Sequence, residues 1–82
     1  MQDIDINPVI EILEELKTDN SVPRNVKEKI ENTIKALKDK SELKLRINKA
    51  LHELDDIADD VNLQAYTRTQ IWNVVSLLEK LT

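Results

Sequence analysis

The chain has 82 residues, a net charge of −4, and neither Cys nor Gly. This length predicts a single domain with a modest core. Without Cys there is no disulfide and no thiolate metal site, and without Gly there is no glycine-rich phosphate-binding loop. The uninterrupted apolar runs are short, so we expect neither a membrane span nor a signal-peptide core.

Four α-helices are predicted, and the first has the clearest start. Asn7 can cap a helix because its side chain accepts from free backbone N–H groups, and Pro8 at the first helical position loses no hydrogen bond. Helix 1 is expected to end near Thr18, and Asn20 is suited to a left-handed helix stop in a chain without Gly. Its apolar stripe, spaced by three and four residues, is Val9, Ile12, Leu13 and Leu16.

Helices 2 and 3 follow after short breaks. Pro23 opens helix 2, which is expected to reach about Lys38 with a narrow apolar stripe and charged remaining faces. Ser41 is the expected cap of helix 3, which is predicted over about 42–59. The apolar positions of helix 3 fall within about 120° of arc. They are Leu43, Ile47, Ala50, Leu51, Leu54, Ile57, Ala58 and Val61.

Helix 4 is predicted from about Leu63 to Leu81, and its apolar arc is wider than those of the other helices. Trp72 lies about 110° to one side of the mean apolar direction, and Leu77 lies about as far to the other side. Short links between helices of this length favour an antiparallel up-and-down arrangement. We therefore expect an all-α four-helix up-and-down bundle that forms one domain over residues 1–82.

The bundle is predicted to consist of two related helical hairpins, at about 7–38 and about 42–81. The hairpins match each other at a shift of 41 residues, the separation of Ile30 from Ile71 (71 − 30 = 41). Polar matches distinguish this pattern from what any two amphipathic hairpins would show. They are Asn7 with Asn48, Asp19 with Asp60, and Asn32 with Asn73. We interpret the period as duplication of a helical hairpin.

Three segments carry a resemblance to a known family: NPVIEILEEL at helix 1, VPRNV at helix 2 and TQIWNVVSLLE in helix 4. On these residues the chain resembles a small archaeal protein family of uncharacterised function over nearly its whole length. The resemblance implies an all-helical bundle of about this length in an archaeal, cytoplasmic setting. It implies no activity, because that family has no assigned function to carry over.

The acidic run Asp55–Asp60 and the single histidine, His52, are the candidates for chemistry. Acids four residues apart share helix faces, so their oxygens can attract a divalent cation. The structural alternative is that Asp60 accepts hydrogen bonds in its turn, as Asp19 does in the other hairpin. A zinc site needs more nitrogen or sulfur ligands than the chain supplies. No nucleophile with an adjacent base is indicated, so we expect no enzyme, no metal site and no cofactor.

The apolar residues that fit a single core stripe least well form the first candidate surface for a partner. They are Leu45, Trp72 and Leu77, to which we add Leu81 at the end of helix 4. Such a patch can be covered by a protein partner or by a second copy of the chain. Half-buried rim residues of a small bundle are the alternative. We predict a non-enzymatic protein-interaction module that can form a homodimer and has no membrane partner.

A basic strip forms the second candidate surface. Residues 24–49 carry nine bases and four acids, whereas residues 50–61 carry five acids and no base. Four lysines straddle the link between helices 2 and 3: Lys35, Lys38, Lys40 and Lys44. They can contact phosphates, which makes an RNA- or ribosome-associated accessory protein the alternative function. The interleaved acids and the lack of an aromatic side chain within the strip favour a solvated face instead.

Overall fold

The structure is a computed structural model of the chain and describes residues 6–81. In that range it contains no strand and four helices: α1 (Asn7–Lys17), α2 (Arg24–Lys38), α3 (Leu43–Ala58) and α4 (Ala65–Glu79). This confirms the all-α class and the four predicted helices. The observed ends lie within one or two residues of the predicted ones. Residues 1–5 and 82, which the single-domain prediction includes, lie outside the described range.

Each helix lies side by side with two others. α2 packs against α1 and α3, and α4 packs against α3 and α1. At one end of the α2–α3 pair, Nη1 of Arg46 donates to the carbonyl oxygen of Leu37 at 3.0 Å. Nearer the other end, Nζ of Lys29 pairs with Oδ2 of Asp56 at 2.6 Å. The start of α3 therefore meets the end of α2, and the two helices are antiparallel neighbours.

One aliphatic core joins the four helices, because each turns its apolar stripe toward the others. The buried aliphatic residues of the helices are Val9, Leu13, Leu16, Val26, Ile30, Ile34, Leu37, Ile47, Ala50, Leu54, Ile57, Ala58, Ile71, Val74, Val75 and Leu78. Val61 was predicted to extend the stripe of helix 3, and this is wrong, since its side chain is 89% exposed. α3 ends at Ala58, so helical spacing no longer directs Val61 to the core.

The starts of α1 and α3 differ from the predicted caps. Ile6 occupies the cap position of α1, and Asn7 is the first helical residue, so the Asn7 side chain is not the cap. Glu42 occupies the cap position of α3. The Ser41 hydroxyl donates to Oδ2 of Asp39 at 2.5 Å and so stabilises the link before the helix. Neither α1 nor α3 has a side-chain hydrogen bond at its cap position.

The turn between α1 and α2 closes without a left-handed residue. Asn20 was predicted in that role, but none of residues 6–81 has a positive φ. The Thr18 hydroxyl donates to the carbonyl of Glu15 at 2.9 Å, which ends α1. Oδ1 of Asp19 then accepts from the backbone N–H of Ser21 at 2.9 Å and from its hydroxyl at 2.8 Å. An Asp side chain that accepts two residues ahead forms a turn by itself, so no left-handed stop is required.

The turn between α3 and α4 has the same contacts 41 residues later. Oδ1 of Asp60 accepts from the N–H of Asn62 at 2.8 Å, two residues ahead, as Asp19 does in the first turn. The N–H of Leu63 donates to the Asp60 carbonyl at 3.2 Å, and the N–H of Val22 donates to the Asp19 carbonyl at 3.1 Å. Asp60 therefore accepts a hydrogen bond within its turn, as the structural alternative for the acidic run predicted.

Replacement of Leu54 by Ala is expected to lower the free energy of unfolding by about 2–5 kcal/mol, because a buried cavity would remain. Leu54 is 0% exposed, whereas Leu45 on the same helix is 51% exposed. Leu45→Ala is the matched control and is expected to change stability by less than about 0.5 kcal/mol. Urea unfolding followed by circular dichroism measures both variants, and equal losses would contradict the assignment of Leu54 to the core.

Candidate functional site

The outward face of α4 carries no free charge over three turns. From Ala65 to Leu77 its exposed residues are Ala65, Tyr66, Thr69, Trp72, Asn73, Ser76 and Leu77. Arg68 is the charged residue in this span, and it turns back toward the preceding turn. Its Nη2 donates to the Asp60 carbonyl at 2.8 Å, and its Nε donates to the Ala58 carbonyl at 3.3 Å. In a chain with 34% charged residues, this helix face stands apart from the others.

Trp72 and Leu77, which the sequence singled out, lie at the two edges of this face. They are 49% and 37% exposed, and five positions place them about 140° apart around the helix. Tyr66 is 63% exposed on the same face, and sequence reasoning missed it. Leu81 is partly buried and packs against the core. Leu45 is exposed but lies on α3, so the structure does not place it on the α4 face.

The four lysines of the basic strip are exposed where α2 ends and α3 begins: Lys35, Lys38, Lys40 and Lys44. Acids lie close to them. Glu31 accepts from Nζ of Lys17 at 2.7 Å, and this pair lowers the pKa of Glu31, with smaller contributions from Lys35 and Lys38. The strip therefore lies at one end of the α2–α3 pair, and carboxylates partly neutralise it.

Carboxylates of the acidic run pair with other side chains, line a shallow depression or, in the case of Asp56, do both. Asp56 pairs with Lys29, and Oδ2 of Asp60 accepts from Nδ2 of Asn25 at 3.2 Å. The Asn62 N–H, followed by the Asn25 amide, lowers the pKa of Asp60. The depression has a volume of 230 Å³ and is lined by His52, Glu53, Asp55, Asp56 and Asp59. Among residues 6–81, no group of His and acidic side chains is arranged to hold a metal ion.

An open groove of 360 Å³ lies between α2 and α3 beside this depression. Its lining residues are Asn32, Ala36, Asn48, Lys49, His52 and Glu53. Asn32 and Asn48 come from different helices and are both exposed. Sequence reasoning did not predict the groove. A signal was nevertheless present, because both asparagines belong to the polar matches at the 41-residue shift.

No helix in the described part of the chain has both the length and the apolar character needed to cross a bilayer. The fold and its surfaces define a small all-α protein of four helices. The chain belongs to the uncharacterised protein family UPF0147, whose family model matches residues 2–81. The family and the all-helical fold that the resemblance implied are thereby confirmed.

Two relatives from archaea show how far the similarity extends. A UPF0147 protein of Methanocaldococcus jannaschii is 43% identical over 84% of this chain and 75% of its own length. A UPF0147 protein of Pyrococcus abyssi is 38% identical over 99% of both chains. The similarity therefore extends over nearly the whole chain.

Two solved structures have the same fold. A crystal structure of a UPF0147 protein from Thermoplasma acidophilum superimposes with a TM-score of 0.90 at 35% identity and covers 94% of this chain and 92% of its own. A crystal structure of a protein of unknown function superimposes with a TM-score of 0.92 at 36% identity, over 100% of this chain and 99% of its own. These similarities support the arrangement of the four helices and assign no activity.

Because of the carboxylates of Asp19 and Asp60 in the two turns, we expect the stability of the protein to decline in acid. Backbone N–H donors lower the pKa of Asp19 and of Asp60 in the folded protein. A carboxyl with a lowered folded pKa stabilises above its unfolded pKa, about 4, and this stabilisation is lost as the pH falls through the folded pKa. The double variant Asp19→Asn, Asp60→Asn keeps the accepting oxygens, so its free energy of unfolding should decline less steeply in acid.

Urea unfolding at a series of pH values from neutral to acidic measures this slope for both proteins. Asp60→Ala is the control, because it removes the acceptor and should destabilise the protein at neutral pH as well. An unchanged acid slope in the double Asn variant would contradict the role of the turn carboxylates.

Proposed function

We propose that the protein is a non-enzymatic interaction module that associates with a second copy of itself through the outward face of α4. The observation that supports this is the absence of free charge along that face from Ala65 to Leu77. Elsewhere the surface alternates in sign, with excess bases in residues 24–49 and only acids in residues 50–61. Burial of an uncharged face avoids the desolvation of ionised groups, which costs several kcal/mol per ion.

A second copy is the occupant that an uncharged face suits best. In a twofold contact the same face lies on both sides, so any charge near the axis meets a charge of the same sign. The α4 face has none to repel its own copy. Asn73 and Ser76 each provide both a donor and an acceptor, although one N–H of Asn73 already donates to Oε1 of Gln70. The Thr69 hydroxyl donates to the Ala65 carbonyl, so it can still accept across the axis. Trp72 and Tyr66 supply large contact area with few rotatable bonds.

Leu81 and Leu45 have different positions in this proposal. Leu81 packs against the core, so it supports the end of the α4 face and contributes part of its surface to the contact. Leu45 lies on α3 between Lys44 and Arg46, where the surroundings are charged. We leave it outside the proposed face.

The non-enzymatic part of the proposal rests on the chemistry that the chain carries. It has no Cys and one His. His52 lies beside carboxylates, and no hydroxyl nucleophile lines its depression. The cytoplasmic setting expected from the family resemblance belongs to the same proposal.

We also propose that the two hairpins arose by duplication and form the halves of an up-and-down bundle. The bounds of α2, 24–38, become those of α4, 65–79, after a shift of 41 residues. The last residues of α1 and α3, Lys17 and Ala58, have the same separation. Every buried residue from Val9 to Leu37 has a buried residue 41 positions later. The matching turn contacts of Asp19 and Asp60 add independent support.

Self-association is tested by the mass of the protein in solution. The wild type is expected to form dimers at micromolar concentrations in sedimentation equilibrium. Trp72→Lys and Leu77→Lys place a charge in the contact and should each weaken association by at least about tenfold. Leu45→Lys, a similar change on an exposed side chain of α3, is the matched control and should leave the dimer intact. A monomeric wild type would overturn the proposal.

The RNA-associated alternative is supported by the four exposed lysines at the α2–α3 link and has its own test. The test measures how much mixed RNA each protein retains on a filter at low salt. If the basic strip is only a solvated face, the wild type should retain no more RNA than the double variant Lys38→Glu, Lys44→Glu. Lys80→Glu, a single charge reversal on the exposed end of α4 outside the strip, is the control. Retention that falls steeply with salt and is lost only in the strip variant would favour the alternative.

A further inference from the structure

We propose that the groove between α2 and α3 binds an extended segment of another protein that carries Lys or Arg. The segment's backbone would lie against Asn32 and Asn48, and its basic side chain would enter the acidic depression. This inference is independent of self-association, because the groove lies on α2 and α3 and the proposed dimer face lies on α4.

The groove exists because the seam between α2 and α3 is bridged along only part of its length. Lys29 pairs with Asp56, and Asn25 donates to Asp60, so side chains link the two helices near the α3–α4 turn. About two turns further along, Ala36 replaces the long side chains and leaves the space open. The residue 41 positions later is Leu77, so α4 has a large side chain where α2 has a methyl group.

Asn32 and Asn48 have no role within the fold that explains their presence in helices. Asn is less favourable than Ala in a helix interior. In the described part of the chain, neither side chain makes a hydrogen bond that would offset this. Each carboxamide has one acceptor oxygen and two N–H donors. Both are exposed in the groove and are available to a ligand that offers a donor and an acceptor together.

An extended polypeptide offers such a pair at every second residue. In a β conformation the N–H and the C=O of one residue point to the same side, and antiparallel strands exchange both bonds there. A single carboxamide can therefore accept from the N–H and donate to the C=O of one residue. Asn32 and Asn48, one from each wall of the groove, can hold two such residues without selecting their side chains.

The charge around the groove selects a basic side chain. The groove continues into the acidic depression, since His52 and Glu53 line both. Four carboxylates surround the depression, those of Glu53, Asp55, Asp56 and Asp59. Lys29 pairs with Asp56, and the other three make no ion pair in the described part of the chain. Within residues 50–61 there is no base. Lys49 lines the groove but not the depression, so the difference in charge favours a basic side chain at the depression.

The same charges disfavour other occupants. A nucleic-acid backbone would bring phosphates against these carboxylates. Residues 1–5 of this chain carry two acids and no base, so they do not complement the depression either. A basic extended segment from a different protein fits both the carboxamides and the carboxylates.

Amide NMR of isotope-labelled full-length protein tests the proposal directly, because side-chain NH₂ groups of Asn give their own signals. The probe is a blocked peptide in which Thr and Lys alternate. We expect saturable shifts at the Asn32 and Asn48 side chains and none at Asn73 on α4. The same peptide with N-methylated backbone should bind at least about fivefold more weakly, since it cannot donate to the carboxamides. A peptide with Glu in place of Lys should also bind at least about fivefold more weakly.

Ala36→Leu is the sharpest variant, because it fills the groove with the residue that α4 has at the matching position. It should retain the wild-type melting temperature and dimer mass and lose at least about fivefold in peptide affinity. Ala65→Leu, on the exposed start of α4, is the matched control and should bind as the wild type does.

Three outcomes would overturn the proposal: no shift at Asn32 and Asn48 at millimolar peptide, equal affinity for the N-methylated peptide, or unchanged binding to the Ala36→Leu protein. A monomeric protein that still binds the peptide would contradict only the α4 proposal.

Discussion

Mutual burial of narrow aliphatic stripes is the constraint on which the structure depends. The chain has no Phe, so Val, Ile, Leu and Ala must fill the core. Each helix buries one stripe against two neighbours, and the remaining faces stay outside. Because the core uses few positions per helix, the outer faces of the four helices can differ strongly in charge while the packing stays the same.

The contrast between α2 and α4 shows this separation of packing from surface. Their buried positions correspond at the 41-residue shift, from Ile30 with Ile71 to Leu37 with Leu78. Their outer positions do not. Glu31, which pairs with Lys17, corresponds to the exposed Trp72, and Ala36 in the groove corresponds to Leu77. One framework therefore presents a polar groove between α2 and α3 and an uncharged outward face on α4.

Periodicity made the four helices predictable because apolar spacing reports directly on helix faces. Helix ends were less predictable, as at Asn20, since several side chains can close a turn and tertiary contacts decide among them. Trp72 and Leu77 could be placed at the edges of a helix from their angles alone. The groove at Asn32 and Asn48 could not, because it depends on how two helices face each other and on the small size of Ala36.

The absence of positive φ angles among residues 6–81 has a consequence for the unfolded state. Because Asp19 and Asp60 shape the turns in right-handed or extended backbone, the chain needs no Gly, and it has none. Gly is the residue with the largest backbone freedom when unfolded, so a chain without it surrenders less conformational entropy on folding. The burial of a small aliphatic core then has a smaller entropy cost to offset.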